Sequence, residues 1–172
     1  MSSVLIGYLR LMRPANLPTA AADIFAGVAL AGLFSASTNV LPIVIPILFL
    51  IFSSIFLYAG GVVLNDVFDV EVDKIERPER SLPSGLIPLK SAAFFGAILL
   101  LIGIALAFLV NNLSGIIAIL LALSIVLYDG YSKKYDFLGP LNLGFCRSLN
   151  LLLGVSILME FFHWEYAFIP LV

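Results

Sequence analysis

The chain is poor in charge. Asp, Glu, Lys and Arg make up 12% of its 172 residues, whereas a soluble domain carries about 25%. Hydrophobic residues make up 62%, against about 45–50% in soluble proteins. That surplus exceeds what one globular core can enclose, so lipid is read as the solvent of this chain. A single cysteine, Cys146, and a single histidine, His163, exclude a disulfide framework and a zinc-type ligand cluster. Nine basic residues against eleven acidic ones leave a net charge of −2. The basic surface that nucleic acid requires is therefore missing. The first apolar stretch lacks a small-residue cleavage site, and Arg10, Arg13, Pro14, Pro18 and Asp23 interrupt its start. It reads as a first membrane helix and not as a removed signal peptide. No internal repeat, low-complexity tract or soluble domain is visible.

What remains is a series of apolar segments. A membrane helix needs about 20 mostly apolar residues. Residues 17–34, 41–64, 92–110, 113–127 and 141–159 qualify or nearly so, and a sixth segment begins near Trp164 and stops too soon to span. The expected fold is an all-α integral membrane bundle of about five spans plus the start of a sixth. The third and fourth segments are joined by Asn111 and Asn112 alone, which predicts a tight helical hairpin. Trp164 and Tyr166 suit an interfacial belt. The abrupt end predicts that residues 1–172 form a single, incomplete transmembrane domain.

The basic residues predict the orientation. Arg10 and Arg13 precede the first span. Lys74, Arg77, Arg80 and Lys90 lie between the second and third, and Lys133, Lys134 and Arg147 between the fourth and fifth or just inside the fifth. The opposite connections, 35–40, 111–112 and 160–163, carry neither Lys nor Arg. The positive-inside rule then places the N-terminus and both basic loops on the cytoplasmic side of an inner membrane or its equivalent.

The most informative stretch follows the second span. Asp66, Asp69 and Asp73 are spaced i, i+3, i+7 and share one face of a helix, with Asn65 beside them. Arg77 and Arg80 continue that face if the helix persists, and Pro78 is placed to end it. An ionised carboxylate at the bilayer centre costs roughly 2.5–3.5 kcal/mol on insertion scales. Three on one face need a cation, a water-filled cavity or both. Mg2+ takes oxygen ligands and is usually held by one or two carboxylates together with substrate phosphates. Neighbouring arginines grip phosphate oxygens bidentately. Acids beside arginines therefore fit a metal–diphosphate complex better than a metal alone. An ordinary solvated loop with surface ion pairs is the competing reading, and the spacing alone leaves both open.

The run Asn65-Asp66-x-x-Asp69-x-x-x-Asp73, then Arg77-Pro78-x-Arg80-x-x-Pro83-Ser84-Gly85, resembles the first aspartate-rich motif of the UbiA superfamily of intramembrane prenyltransferases. Tyr128 through Lys133 is similar to that family's Tyr-x-x-x-x-Lys segment after span four. Leu138-Gly139-Pro140, Asn142, Gly144 and Arg147 resemble the run that opens span five, and Arg13-Pro14-Ala15-Asn16 resembles the approach to span one. A weaker likeness, in Ala22-Asp23 and in Cys146 through Gly154, is to the EboC-like branch.

The resemblance implies nine membrane helices around a cavity, with two facing aspartate motifs at its cytoplasmic mouth. Only the first motif is present. Asp129 and Asp136 lie in the wrong loop to replace the second, so these residues alone are expected to be inactive. The implied reaction transfers an allylic prenyl group from its diphosphate to an acceptor with the help of Mg2+. On that likeness Asn65, Asp66, Asp69 and Asp73 are assigned to the metal, and Asp66, Asp69 and Asp73 to catalysis. Arg77, Arg80 and Lys133 are assigned to the diphosphate, Tyr128 to the neighbourhood of the allylic cation, and Asn16, Asp23 and Arg147 to substrate. The partners implied are a prenyl diphosphate donor, the bilayer and an acceptor that is aromatic, a quinone precursor or another lipid-soluble molecule. Families of this type also prenylate haem, chlorophyllide or glycerol phosphates. No base, acceptor, chain length or oligomeric state is assigned. A non-catalytic UbiA-like membrane protein that binds or helps export a lipid or metabolite is the alternative.

Plainer readings stand beside several of these. Asp23 pairs with Arg13 or snorkels, or else serves function. Arg147 binds substrate or caps its helix. His163 reads as an interfacial anchor, Cys146 as a small packing residue, and Gly60-Gly61 as a close helix contact.

Overall fold

The computed structural model describes residues 3–32, 41–158, 165, 166 and 168. Among these there is helix and no strand. The elements are α1 (Ser3–Leu11), α2 (Leu17–Leu30), α3 (Leu41–Phe68), α4 (Val70–Glu76), α5 (Leu89–Phe108), α6 (Asn112–Gly130) and α7 (Leu138–Val155). Single 3-10 turns at Pro14–Asn16 and Ser132–Lys134 lead into α2 and α7. The connection 35–40, and residues 159–164 with His163 and Trp164, lie outside the described residues, as do 169–172. The sixth helix and the anchoring role of His163 and Trp164 fall there. Tyr166 is described, and it packs on the main core.

Among the described residues, three helical stretches are long and apolar enough to cross a membrane: Ile43–Phe68, Leu89–Phe108 and Asn112–Lys134. They match the second, third and fourth expected spans. Helix α2, with 14 described residues, rises only about 21 Å, short of the roughly 30 Å hydrocarbon core. Helix α7 carries Arg147 within its 18 residues. Both nonetheless pack into the same bundle. The boundaries also differ from the hydropathy reading. Helix α3 runs on to Phe68 and α6 to Gly130, because backbone hydrogen bonding continues where side chains turn polar.

Two close crossings set the bundle. In α3 against α5, a Cβ at Gly60 would lie 2.9 Å from the Gly96 carbonyl oxygen. In α2 against α7, a Cβ at Gly27 would lie 2.3 Å from the Leu151 carbonyl oxygen, and one at Gly154 would lie 2.5 Å from that of Ile24. Small residues let backbones meet where lipid supplies no hydrophobic drive, so Gly60 serves packing, as its sequence context predicts. Ile24, Val28, Leu50, Leu57, Leu121 and Leu153 fill the main core. The predicted hairpin is present: Asn111 caps α6 by accepting from the Ser114 amide at 2.8 Å and donates to the Ser156 carbonyl at 2.9 Å. Asn112 belongs to α6 itself.

A smaller apolar cluster of Leu11, Val63, Val70, Leu82 and Ile87 ties α1 and the loop after α4 onto α3. This is how a charged loop comes to be fixed in place. The face shared by Asp66, Asp69 and Asp73 survives because the break between α3 and α4 is one residue wide. The Asp69 amide still donates to the Asn65 carbonyl, and the Asp73 amide to that of Asp69. Helix α4 ends at Glu76, with Arg77 as its C-cap just before Pro78, as the steric demand of a following proline predicts.

Candidate functional site

The N-terminus of α2, the C-termini of α3 and α6 and the N-terminal half of α7 converge at one end of the bundle. Each acid of the α3–α4 face meets a cation there. Arg13 donates through Nη2 to Asp66 Oδ1. Arg80 Nη1 lies 2.7 Å from Asp73 Oδ2 and 3.6 Å from Asp66 Oδ1, bridging the two. Lys133 Nζ lies 2.6 Å from Asp69 Oδ1 and donates to Asn65 Oδ1 at 3.1 Å. Asp66 and Asp73 are buried, Asp69 is half-buried. Burial works against the charge on Arg80, but its hydrogen bond to Asp73 and the negative Asp66 and Asp73 outweigh this and leave its pKa raised. Removing the cation of such a part-buried pair strands a buried carboxylate, at a cost of up to about 3 kcal/mol once solvent screening of the partly exposed cation is allowed for.

Arg13 reaches Asp66 from an unusual backbone. Its φ of 46° and ψ of 63° place it in the left-handed region, the single non-glycine with positive φ among the described residues. Such a conformation costs of order 1–3 kcal/mol and persists where its surroundings fix it. The sequence offers Arg13 as a topology marker, as part of a likeness and as a possible partner of Asp23, so its contact with Asp66 was not foreseen.

A cavity of about 510 Å³ opens beside these pairs. Arg13, Asn65, Tyr128, Asp23 and Arg147 line it, with Val62, Leu121, Ile125 and Leu143 as apolar wall. Arg13 and Asn65 therefore connect the cavity to the ion-paired acids. Deeper in, Asp23 sits 3.5 Å from Arg147 and accepts from Asn150 at 3.2 Å. Ser54 donates to Asn150 Oδ1 at 2.7 Å, and Asn150 also donates to the Ala20 carbonyl at 3.2 Å. Asp23 thus pairs with Arg147 and not with Arg13, one of the pairings open in the sequence, because Asp66 holds Arg13. Arg147 is not an end cap; it projects more than half exposed into the cavity.

The other expected residues are placed less centrally. Arg77 is exposed, and no ion pair joins it to these acids among the described residues. Asn16 is exposed, makes no side-chain cap and does not line the cavity. Among the described residues no three His, Cys, Asp or Glu side chains gather closely enough to hold a metal ion. Sequence reasoning passed over Asn150, Ser54 and Asp129 as site residues. Asp129 lies in the last turn of α6, buried, and also lines the cavity. The signal that finds it is the general one for an ionisable residue inside an apolar span.

A model of the UbiA prenyltransferase family matches residues 25–172. The chain belongs to the UbiA prenyltransferase family. Its relatives include the digeranylgeranylglyceryl phosphate synthase of Methanococcoides burtonii, 41% identical over 154 residues, which cover 87% of this chain and 54% of that protein. The synthase of the same name from Sulfurisphaera tokodaii is 35% identical over 147 residues, covering 86% of this chain and 51% of the relative. Neither carries the EboC-like name suggested by Cys146 through Gly154. A solved structure of a digeranylgeranylglyceryl phosphate synthase in membranes superimposes with a TM-score of 0.80 at 35% identity, covering 91% of this chain and 54% of that one. A UbiA homolog from Archaeoglobus fulgidus, bound to DMAPP and Mg2+, shares the fold with a TM-score of 0.74 at 19% identity, covering 88% and 54%. The chain spans about half the length of the curated relatives it matches. The three long apolar helices among its described residues and its UbiA membership make it an integral membrane protein.

Proposed function

We propose that this UbiA family protein is a Mg2+-dependent prenyltransferase that moves an allylic prenyl group from its diphosphate to a lipid-soluble acceptor, with a glyceryl phosphate lipid as the favoured acceptor class. The acceptor class is supported by the names of the relatives. The observation that carries the reaction is the matching of Asp66, Asp69 and Asp73 with Arg13, Lys133 and Arg80 beside a largely apolar cavity. In this reading the N-terminus and the acidic loop face the cytoplasm, as the basic residues predict.

The donor set fits the ion. Asn65 Oδ1 and Asp69 Oδ1 already converge on one positive centre, the Lys133 ammonium, and all candidate ligands are hard oxygens. Mg2+ asks for one or two carboxylates, with waters and phosphates completing its shell, so a cage of three acids is not required. Asn65, Asp66 and Asp69 would hold it, with Asp73 next to them, and when bound it neutralises charge on the departing diphosphate. Arg13, Arg80 and Lys133 are placed to take phosphate oxygens, with Arg77 further out. Tyr128 lines the cavity, where an aromatic face would favour a cation. The apolar wall keeps water from that cation. One observation favours a second reading, a non-catalytic lipid-binding protein: every acid of the motif is already neutralised within the chain.

The test is binding of geranylgeranyl diphosphate to the full-length protein in vesicles, with and without Mg2+, followed by transfer to geranylgeranylglyceryl phosphate. Asp66→Asn is expected to reduce transfer by about 10²–10³-fold, the usual loss when a charge-stabilising group is removed. Donor binding that ignores both Mg2+ and this substitution favours the non-catalytic reading.

A further inference from the structure

The ion-paired motif leaves one acid of the cavity unused. Asp23, Asp66, Asp69 and Asp73 each have a cation or amide partner. Asp129 does not. It is 3% exposed, it lines the cavity beside Tyr128, and its Oδ2 is buried without a hydrogen-bond partner among the described residues. The nearest basic residue in the chain, Lys133 one turn on, is engaged by Asp69 and Asn65. Buried acceptors without donors are rare in folded proteins. Because Asp129 is among the residues that line the cavity, a donor brought into the cavity can complete its carboxylate.

We infer that Asp129 receives the acceptor substrate, its Oδ2 taking the hydrogen bond of the nucleophilic hydroxyl and then that hydroxyl's proton. This rests on the prenyl-transfer reading and supplies the base that the sequence could not assign. The acceptor oxygen forms a bond to the allylic carbon. The bond between that carbon and the diphosphate oxygen breaks, and the diphosphate leaves with the electron pair. The hydroxyl proton passes to the Asp129 carboxylate, so atoms and charge balance without a further reactant. An unpartnered carboxylate oxygen accepts an O–H or N–H hydrogen, and with the hydroxyl acceptor of the prenyl-transfer reading the product is an ether. Among the described residues Asp23, at 3.5 Å, is the one ion-pair partner of Arg147 and its five N–H donors. Arg147 lines the same cavity and suits an anionic group on the acceptor, such as a phosphate.

The test uses the full-length protein in vesicles, with Asp129→Asn compared to wild type. Three quantities are measured: Mg2+-dependent binding of geranylgeranyl diphosphate, transfer to geranylgeranylglyceryl phosphate, and the thermal unfolding midpoint. The expected result is donor binding within about twofold of wild type and transfer slower by about 100-fold or more, the typical weight of a positioned base. The unfolding midpoint is expected not to fall, because no bond within the chain is lost. Unchanged transfer overturns the inference. Loss of donor binding also overturns it, because the carboxylate then serves the diphosphate end. A lowered midpoint or failure to fold assigns Asp129 a structural bond and overturns it as well. Wild-type protein that binds no donor sinks the prenyl-transfer reading first, a result distinct from all of these.

Discussion

Alanine at Gly27 tests the α2–α7 crossing more severely than any other single change. Its Cβ would stand 2.3 Å from the Leu151 carbonyl oxygen and 2.8 Å from both Gly154 Cα and Val155 N, where ordinary contact begins at 3.4 Å. All three atoms are backbone, so no side chain can rotate away. Helix α2 must withdraw by about 1 Å, a gap that forfeits a quarter to a half of each dispersion contact it opens. Ile24, Val28, Leu149, Leu152 and Leu153 share the affected core. Overpacking costs typically 1–3 kcal/mol, and rigid backbone on both sides puts this site at the upper end. The withdrawal also stretches the Asn150 bonds to Ala20 and Asp23, each already 3.2 Å and each contributing about 1 kcal/mol. The expected loss is therefore about 3 kcal/mol or more, read as unfolding free energy by denaturant titration in mixed micelles. Gly130→Ala is the control: its Cβ would lie 3.8 Å from the Phe68 ring, an ordinary contact, and stability is expected to hold or rise slightly. Equal effects at the two positions would refute the close crossing.

Two further substitutions address the hairpin and the paired acids. Asn111→Ala removes the α6 cap and the tie to Ser156, and is expected to lower stability by about 2 kcal/mol; a change below a few tenths counts against the cap. Arg80→Gln strands the buried Asp73 and is expected to cost up to about 3 kcal/mol. Adding Asp73→Asn should restore part of that, so strict additivity in the double-mutant cycle argues against the pair.

The three long spans, the tight hairpin and the shared face of Asp66, Asp69 and Asp73 were legible because each rests on local sequence: apolar length, capping residues and helical period. The ends of α3 and α6 were not, because hydropathy stops where polarity starts while the helix continues. Which cation meets which acid was also hidden. Arg13 lies 53 positions from Asp66, and no spacing rule links residues on separate helices. Asp23 shows the same limit: Arg13 is the nearby partner in sequence, yet Arg147 is the nearby partner in space. Asp129 was visible as an acid at the end of an apolar span, but its lack of a partner is a property of packing alone.

The self-neutralised acids carry a consequence for how the site is filled. A chain whose carboxylates stood bare at the edge of the hydrocarbon would depend on its ligand merely to settle there. Here Arg13, Arg80 and Lys133 already do that work. A guest bringing both signs of charge can then be admitted by exchange, its cation taking over the carboxylates as its anion takes over the guanidinium and ammonium groups. No charge is left bare at any stage of such a trade. A guest with only one sign would find half of its intended hosts still holding each other, so this pairing would favour a guest that carries both.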